Sequence, residues 1–203
     1  MVMTGRNNEG SDSVQIIVVT QSHARRSEVE HFIADVYRSH YGASVPEFPP
    51  TLLALLGRDG NWLCASGLRF AECDFFSECY LDEPIEILLA RASGAAVDRE
   101  SIFEVSGLAS RAPARAAQFL HYIVSYGDTA GFDWAFFTAT KRLRSLLSAL
   151  GLPHIVLGDA YKQRAQNPQV WGSYYDGAPL VCAVSRSAAQ IYLNKQTSTV
   201  VHA

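Results

Sequence analysis

Apolar residues recur along this chain in two rhythms. Residues 14–20 are almost continuously apolar and rich in β-branched side chains, the pattern of a strand buried on both faces. Between residues 25 and 41 the rhythm changes: Val29, Phe32, Ile33, Val36, Tyr37 and Tyr41 fall on one face of a helix, and Gly42 supplies a stop. Pro46, Pro49 and Pro50 then stiffen a loop before a strand at 51–56. The turn at 58–61 returns the chain as a second strand at 62–71, an antiparallel hairpin. Residues 74–83 are aromatic and acidic without a period, and Pro84 opens a short helix to about residue 92.

Two strand-to-helix crossovers follow. A strand at 101–109 leads into a helix from Pro113 with Ala116, Phe119, Leu120, Ile123 and Val124 inward and Gly127 as its cap. A strand at 134–140 leads into a helix at 141–150 with Leu143, Leu146, Leu147 and Leu150 inward. Late strands at 154–158 and 179–184 are separated by an irregular piece around Trp171. This order predicts one α/β domain over residues 14–195, with a mixed central sheet between helices, a flexible polar leader at 1–13 and a tail at 196–203.

Composition narrows the function. A chain of 203 residues at 48% hydrophobic composition suffices for one well-buried core. Seventeen Lys and Arg against twenty Asp and Glu give a formal charge of −3, without the basic excess that draws a chain to nucleic acid. Export signals and runs of roughly eighteen apolar residues are not visible, so a cytoplasmic protein without integral membrane association is expected. Cys64, Cys73, Cys79 and Cys182 form no CxxC pair, and the histidines have no metal-ligand spacing, so neither disulfides nor a metal site is expected. Without a phosphate-binding glycine motif or a Gly-x-Ser-x-Gly elbow, nucleotide-dependent kinases, dehydrogenases and serine hydrolases drop out.

Several residues need a reason for their position. Strict alternation puts Ile102, Glu104, Ser106 and Leu108 on one face of their strand and Phe103, Val105, Gly107 and Ala109 on the other. A carboxylate within such a strand either pairs with a cation, with Arg69 and Arg99 as candidates, or lines a cleft. Arg69 is the one charge on the face that alternation assigns to Leu63, Ala65, Gly67, Arg69 and Ala71; it could satisfy Glu104 or clamp a ligand anion. Thr138 lies towards the carboxyl end of its strand, where open α/β sheets bind ligands, and Thr140 suits a helix N-cap. Arg111 and Arg115 flank a helix start that could hold a phosphate or simply be solvated.

Taken together, several phrases resemble the thermostable hemolysin family of bacteria: residues 41–43 with 48–52, 67–71, 78–81 with 84–86, then 104–109, 137–140 and 171–175 before Pro179, in the family's order. More distantly, Arg69 and Glu104 are similar to the Gly-x-x-Arg and Glu-x-Ser-Arg-x-Ala strands of acyl-homoserine-lactone synthases. Both resemblances imply the GNAT fold, a single domain with a splayed central sheet that receives the pantetheine arm of acyl-CoA or acyl carrier protein. Gly107 stands where the lactone synthases carry arginine, and the GNAT pyrophosphate loop is reduced to Arg111, Ala114 and Ala116, which implies an acyltransferase other than a lactone synthase. The resemblance implies transfer of an acyl group to a small amine or amino-acid-like acceptor, with catalytic roles for Glu104, Glu78 and Arg69 and substrate contacts for Ser106, Thr138, Trp171, Tyr174 and Arg99. It assigns contacts to the acyl-thioester arm to Val105, Gly107, Arg111 and Arg115. It also implies acyl-CoA or acyl-phosphopantetheine as co-substrate, no tightly bound cofactor, and an acyl carrier protein as a candidate partner. A membrane-active protein without catalysis and a non-catalytic binding module are the alternatives.

Overall fold

The computed structural model describes residues 14–200, with side chains to residue 197; the expected leader and the end of the expected tail lie outside the described residues. The chain runs β1 (Gln15–Val19), α1 (Arg26–Tyr41), β2 (Thr51–Leu56), β3 (Trp62–Arg69), a 3-10 turn (Phe76–Tyr80), α2 (Ile85–Ser93) and β4 (Ile102–Ser110). It continues with α3 (Pro113–Ala130), β5 (Trp134–Ala139), α4 (Lys141–Ala149), β6 (Ile155–Asp159), β7 (Leu180–Ser185) and α5 (Arg186–Val200). The strands form one mixed sheet in the order β1-β2-β3-β4-β5-β7-β6. Its pairs are antiparallel except β4 with β5. This is the expected GNAT-like α/β architecture.

Local chemistry accounts for the helix boundaries. α1 buries Val29, Phe32, Ile33, Val36 and Tyr37, and ends at Gly42, whose φ of 64° lets its N–H reach Arg38. The Thr140 side chain caps α4 by accepting from the Leu143 N–H. α3 starts at Pro113 as expected but runs through Gly127 to a cap at Gly131. Gly127 is there for contact: a Cβ at that position would lie 2.7 Å from the Phe103 ring. α5 was not foreseen, because Gln190, Asn194 and Lys195 interrupt its apolar positions.

Two apolar cores sandwich the sheet. α1 and α2 cover one face with Phe32, Ile33, Ile85 and Leu89. α3, α4 and α5 cover the other with Phe119, Ile123, Leu147 and Tyr192.

Two departures from regular pairing shape the middle of the sheet. β4 meets β5 only at Ile102↔Trp134, Phe103↔Ala135 and Glu104↔Phe136, whereas beside β3 it continues to Ser110. The two central strands therefore splay apart beyond Glu104. On the β3 side, Gly67 faces Ser106 but Ala65 faces Ala109, so three steps on β4 oppose two on β3. Gly107, at φ 59°, absorbs the extra residue as a β-bulge. Alternation from sequence thus holds up to Ser106 and then inverts: Leu108 joins Val105 in the α3 core, and Ala109 joins Ile102 in the α1 core. A second shift, between Leu55 and Leu56, removes Leu63 from the face of Ala65. Period-two counting assumes an unbroken ladder, and each bulge resets it.

Candidate functional site

A cavity of about 860 Å³ passes through the splay. On the α1 face its wall includes Tyr37, Phe48, Trp171 and Tyr174; on the α3 face it includes Phe119, Ile123 and Leu146. Beyond Glu104 the β4 edge turned towards β5 has no ladder partner, so its backbone groups border the cavity at Val105, Ser106 and Gly107. Such an opening can seat an extended chain along β4 with polar contacts to the strand and an apolar end under α3.

Glu104 sits at the root of the splay, fully buried and just behind the cavity wall. It makes no ion pair with Arg69 or Arg99. Its Oε2 accepts from the Phe76 N–H at 2.7 Å, and its Oε1 accepts from the Ser77 N–H at 2.8 Å and the Ser77 hydroxyl at 2.6 Å. The 3-10 turn at Phe76–Tyr80 therefore serves as its anion cradle. Burial drives the Glu104 carboxyl above its ordinary range, while Ser77, the two N–H groups and neighbouring Arg69 pull it part of the way back. A carboxylate balanced in this way is suited to accept a proton.

The route from Glu104 to the cavity is a hydroxyl chain. The Ser77 oxygen lies 2.8 Å from the Thr138 hydroxyl, and both residues line the cavity whereas Glu104 does not. Thr138 reaches this point because β5 has turned away from β4 two residues earlier. Ser77 and the Phe76 N–H escaped the sequence reading because their segment has no period, and a donor on a 3-10 turn leaves no signature.

Arg69 and Glu104 are direct partners across β3 and β4. The Arg69 guanidinium bonds to Glu47 at 2.7 Å and the Asp74 carbonyl at 3.3 Å. Its Nε is buried with no partner among the described residues, as is the Trp171 Nε1. An unpaired buried donor costs about 1–3 kcal/mol, and both residues line the cavity. Trp171 belongs to an aromatic group with Tyr37, Phe76 and Tyr174, at ring-centroid distances of 6.4, 5.5 and 5.9 Å. The Tyr174 hydroxyl points towards the Thr138 carbonyl at 3.5 Å, tying this group to the hydroxyl chain. Glu47, Tyr37 and Tyr41 also line the cavity and were not singled out from the sequence.

Three expected site residues, Glu78, Arg99 and Arg115, lie elsewhere. Glu78 and Arg99 pair with each other at 2.6 and 2.7 Å, away from the cavity wall. Arg99 also holds Glu86 at 2.8 Å, and Glu78 caps α2 by accepting from the Ile85 N–H. Burial alone would raise the Glu78 carboxyl, but Arg99 and the Ile85 N–H outweigh it and hold it below its usual value. That arrangement docks α2 and leaves Glu78 a poor proton acceptor. Arg111 lines the cavity mouth, stacked over Phe32 and paired with Asp35 at 3.3 Å. Arg115 bonds to Gln118 on its own helix and is not part of the wall. The structure thus gathers Arg69, Val105, Ser106, Gly107, Arg111, Thr138, Trp171 and Tyr174 around one cavity.

The family model for thermostable hemolysin matches residues 19–190. No curated protein matches the chain. Among solved structures, it is similar to FeeM, an N-acyl amino acid synthase from uncultured soil microbes, with 14% identity and a TM-score of 0.61 over 90% of this chain and 96% of that one. It is also similar to the AHL synthase LasI, with 12% identity and a TM-score of 0.60 over 90% and 95% of the two chains. The CoA-dependent acyl-homoserine lactone synthase BjaI, solved with SAM and isopentyl-CoA, matches at 13% identity and a TM-score of 0.58 over 90% and 89%. At these identities the likeness shows a shared fold.

Proposed function

The chain belongs to the thermostable hemolysin family, and from that premise and the geometry of the splay we propose that it is an N-acyltransferase, moving an acyl group from a thioester to a small amine. The observation that carries the proposal is the hydrogen-bonded chain Glu104, Ser77, Thr138, which ends in a through-sheet cavity beside the unpaired edge of β4. The pantetheine arm of acyl-CoA or an acyl carrier protein lies along that edge, and the acyl tail enters the apolar end between Phe119, Ile123 and Leu146. In this reading FeeM, LasI and BjaI are relatives in reaction type as well as in fold. A soluble thioester donor places the reaction in the cytoplasm. Among the described residues no helix is long and apolar enough to cross a membrane.

The amine nitrogen attacks the thioester carbonyl carbon, forming the C–N bond as the C–S bond breaks. The proton lost by the amine passes to the Thr138 oxygen, from Thr138 to Ser77, and from Ser77 to Glu104. It then returns by the same chain to the departing thiolate, so that the free thiol leaves. A backbone N–H on the free edge of β4, within Val105 to Gly107, faces the developing oxyanion. Glu104 therefore acts as a base through two hydroxyls, a positioning arrangement in which Ser77 and Thr138 carry the proton.

The test is thiol release from acyl-CoA and acyl carrier protein donors across an amine library, with mass spectrometry of the product. Amine-dependent thiol release and an amide product are expected, with both lost in Thr138→Val and retained in Thr138→Ser. Absence of turnover with every donor and amine, despite tight acyl binding, would make the protein a binding module instead.

A further inference from the structure

The cavity has one lining on each side of the sheet, and the two differ in kind. Within the α1 core it is lined by Tyr37, Tyr41, Tyr80, Trp134, Trp171 and Tyr174. Within the α3 core the lining includes Phe119, Leu120, Ile123, Leu143 and Leu146, with no tyrosine or tryptophan among the described residues. An aliphatic wall accepts a hydrocarbon chain of almost any shape. A wall of rings favours another ring, because an aromatic pair contributes beyond the area it buries. The two limbs are therefore suited to different bodies.

The aromatic wall runs up to the hydroxyl chain. Ring centroids step from Tyr41 to Tyr174 at 5.2 Å, from Tyr174 to Trp171 at 5.9 Å and from Trp171 to Phe76 at 5.5 Å. Tyr41 and Phe76, at the two ends of this series, line the cavity and are only half-buried, which leaves surface for a ligand. Phe76 is followed directly by Ser77, whose oxygen meets the Thr138 hydroxyl at 2.8 Å, and the Tyr174 hydroxyl stands 3.5 Å from the Thr138 carbonyl. A ring held on this wall thus lies beside Thr138. Charge selects further. The guanidiniums on this side are already matched, Arg69 to Glu47 at 2.7 Å and Arg111 to Asp35 at 3.3 Å. A carboxylate on the ligand would have to displace one already bound, whereas an ammonium group is attracted by the ring faces.

From this contrast we propose that the α1 side of the cavity is a subsite for an arylalkylamine without a carboxylate, its ring on the wall from Tyr41 to Phe76 and its amine at Thr138. The proposal rests on the acyl-transfer reading for what becomes of the amine, while the binding claim stands on the wall itself. Saturated amines of the same size and aromatic amino acids are the disfavoured ligands.

Titration calorimetry of the full chain without acyl donor reads binding apart from turnover. The probes are phenethylamine, cyclohexylethylamine, which has the same skeleton with a saturated ring, and L-phenylalanine, which adds the carboxylate. Phenethylamine is expected to bind about tenfold more tightly than either. Tyr41→Leu should cut the preference for the aromatic ring severalfold and Tyr41→Phe should keep it. Ile123→Trp, on the other limb, should leave it unchanged. Thermal melts confirm that each variant is folded, and Phe48→Leu, on the same side as Tyr41, takes the place of Tyr41→Leu if that chain does not fold. Equal affinity for phenethylamine and cyclohexylethylamine, tighter binding of L-phenylalanine than of phenethylamine, or an undiminished preference in folded Tyr41→Leu overturns the subsite. Phenethylamine binding with the expected preference but without thiol release from any donor would leave the subsite standing and sink the transferase reading; thiol release with saturated amines or amino acids in preference to phenethylamine would do the reverse.

Discussion

Replacing Ser77 with Ala removes two contacts at once and leaves the backbone cradle of Glu104 in place. The lost hydroxyl donates to Glu104 Oε1 at 2.6 Å and meets Thr138 at 2.8 Å, while the N–H groups of Phe76 and Ser77 remain at 2.7 and 2.8 Å. A hydrogen bond to a charged group is worth about 1.5–3 kcal/mol, so Ser77→Ala should lower stability by about that much where Glu104 is ionised. In a domain of this size each kcal/mol moves Tm by roughly 2–4 °C. The sign of the pH dependence follows from linkage. Burial already lifts the folded-state carboxyl above its ordinary value of 4.5, so the native state holds a proton that the unfolded chain has released. The Glu104 contribution to stability is therefore greatest below the ordinary carboxyl range and falls as pH rises through the folded-state pKa. Loss of the Ser77 hydroxyl raises that pKa further and widens the window. The deficit of Ser77→Ala should thus be small in acid, where Glu104 is protonated in both proteins, and grow towards neutral pH. Thermal melts from about pH 4 to pH 8 read it, and acyl-transfer kinetics over the same range should show kcat reduced about 10²-fold, the lower end for general base catalysis, with the acidic limb displaced upward. A deficit equal at every pH, with kcat within threefold of the parent and the acidic limb unmoved, would refute the relay.

Three further outcomes are expected. Gly172→Ala should cost more than about 2 kcal/mol in chemical denaturation, because a Cβ there would stand 1.9 Å from the Tyr41 carbonyl oxygen at a φ of 52°, and it should also weaken acceptor binding by displacing Trp171. Arg99→Ala should leave Glu78 facing Glu86 and cost about 1–3 kcal/mol at neutral pH; since Arg99 holds Glu78 below its usual value, this deficit should shrink as melts are taken down through the carboxylate range, the reverse of Ser77→Ala. Ile123→Trp, on the α3 wall of the cavity, should shift donor preference towards shorter acyl chains in a thiol-release assay and leave acceptor binding unchanged.

Features that depend on local chemistry are legible along the chain. Apolar rhythm and the terminators Gly42, Pro113 and Thr140 located the strands and four of the five helices to within a few residues, because backbone preference and one-sided burial act over a turn or two. Arg69 and Glu104 stood out for the same reason, each being a charge on a strand face of mostly apolar or small residues, whereas Thr138 drew notice by its place near the carboxyl end of its strand and Trp171 by the family resemblance. The tertiary structure alone decided how these were combined. β7 enters between β5 and β6, and the bulge at Gly107 inverts the faces of Leu108 and Ala109, so neither sheet order nor register beyond a bulge is contained in local periodicity. Arg99, an obvious partner for Glu104 on charge alone, is taken by Glu78 and Glu86. Glu104 instead rests on Ser77, which lies 27 residues away in sequence. A buried carboxylate is satisfied by whichever donors the fold brings within 3 Å, and that proximity exists only once the chain has closed around it.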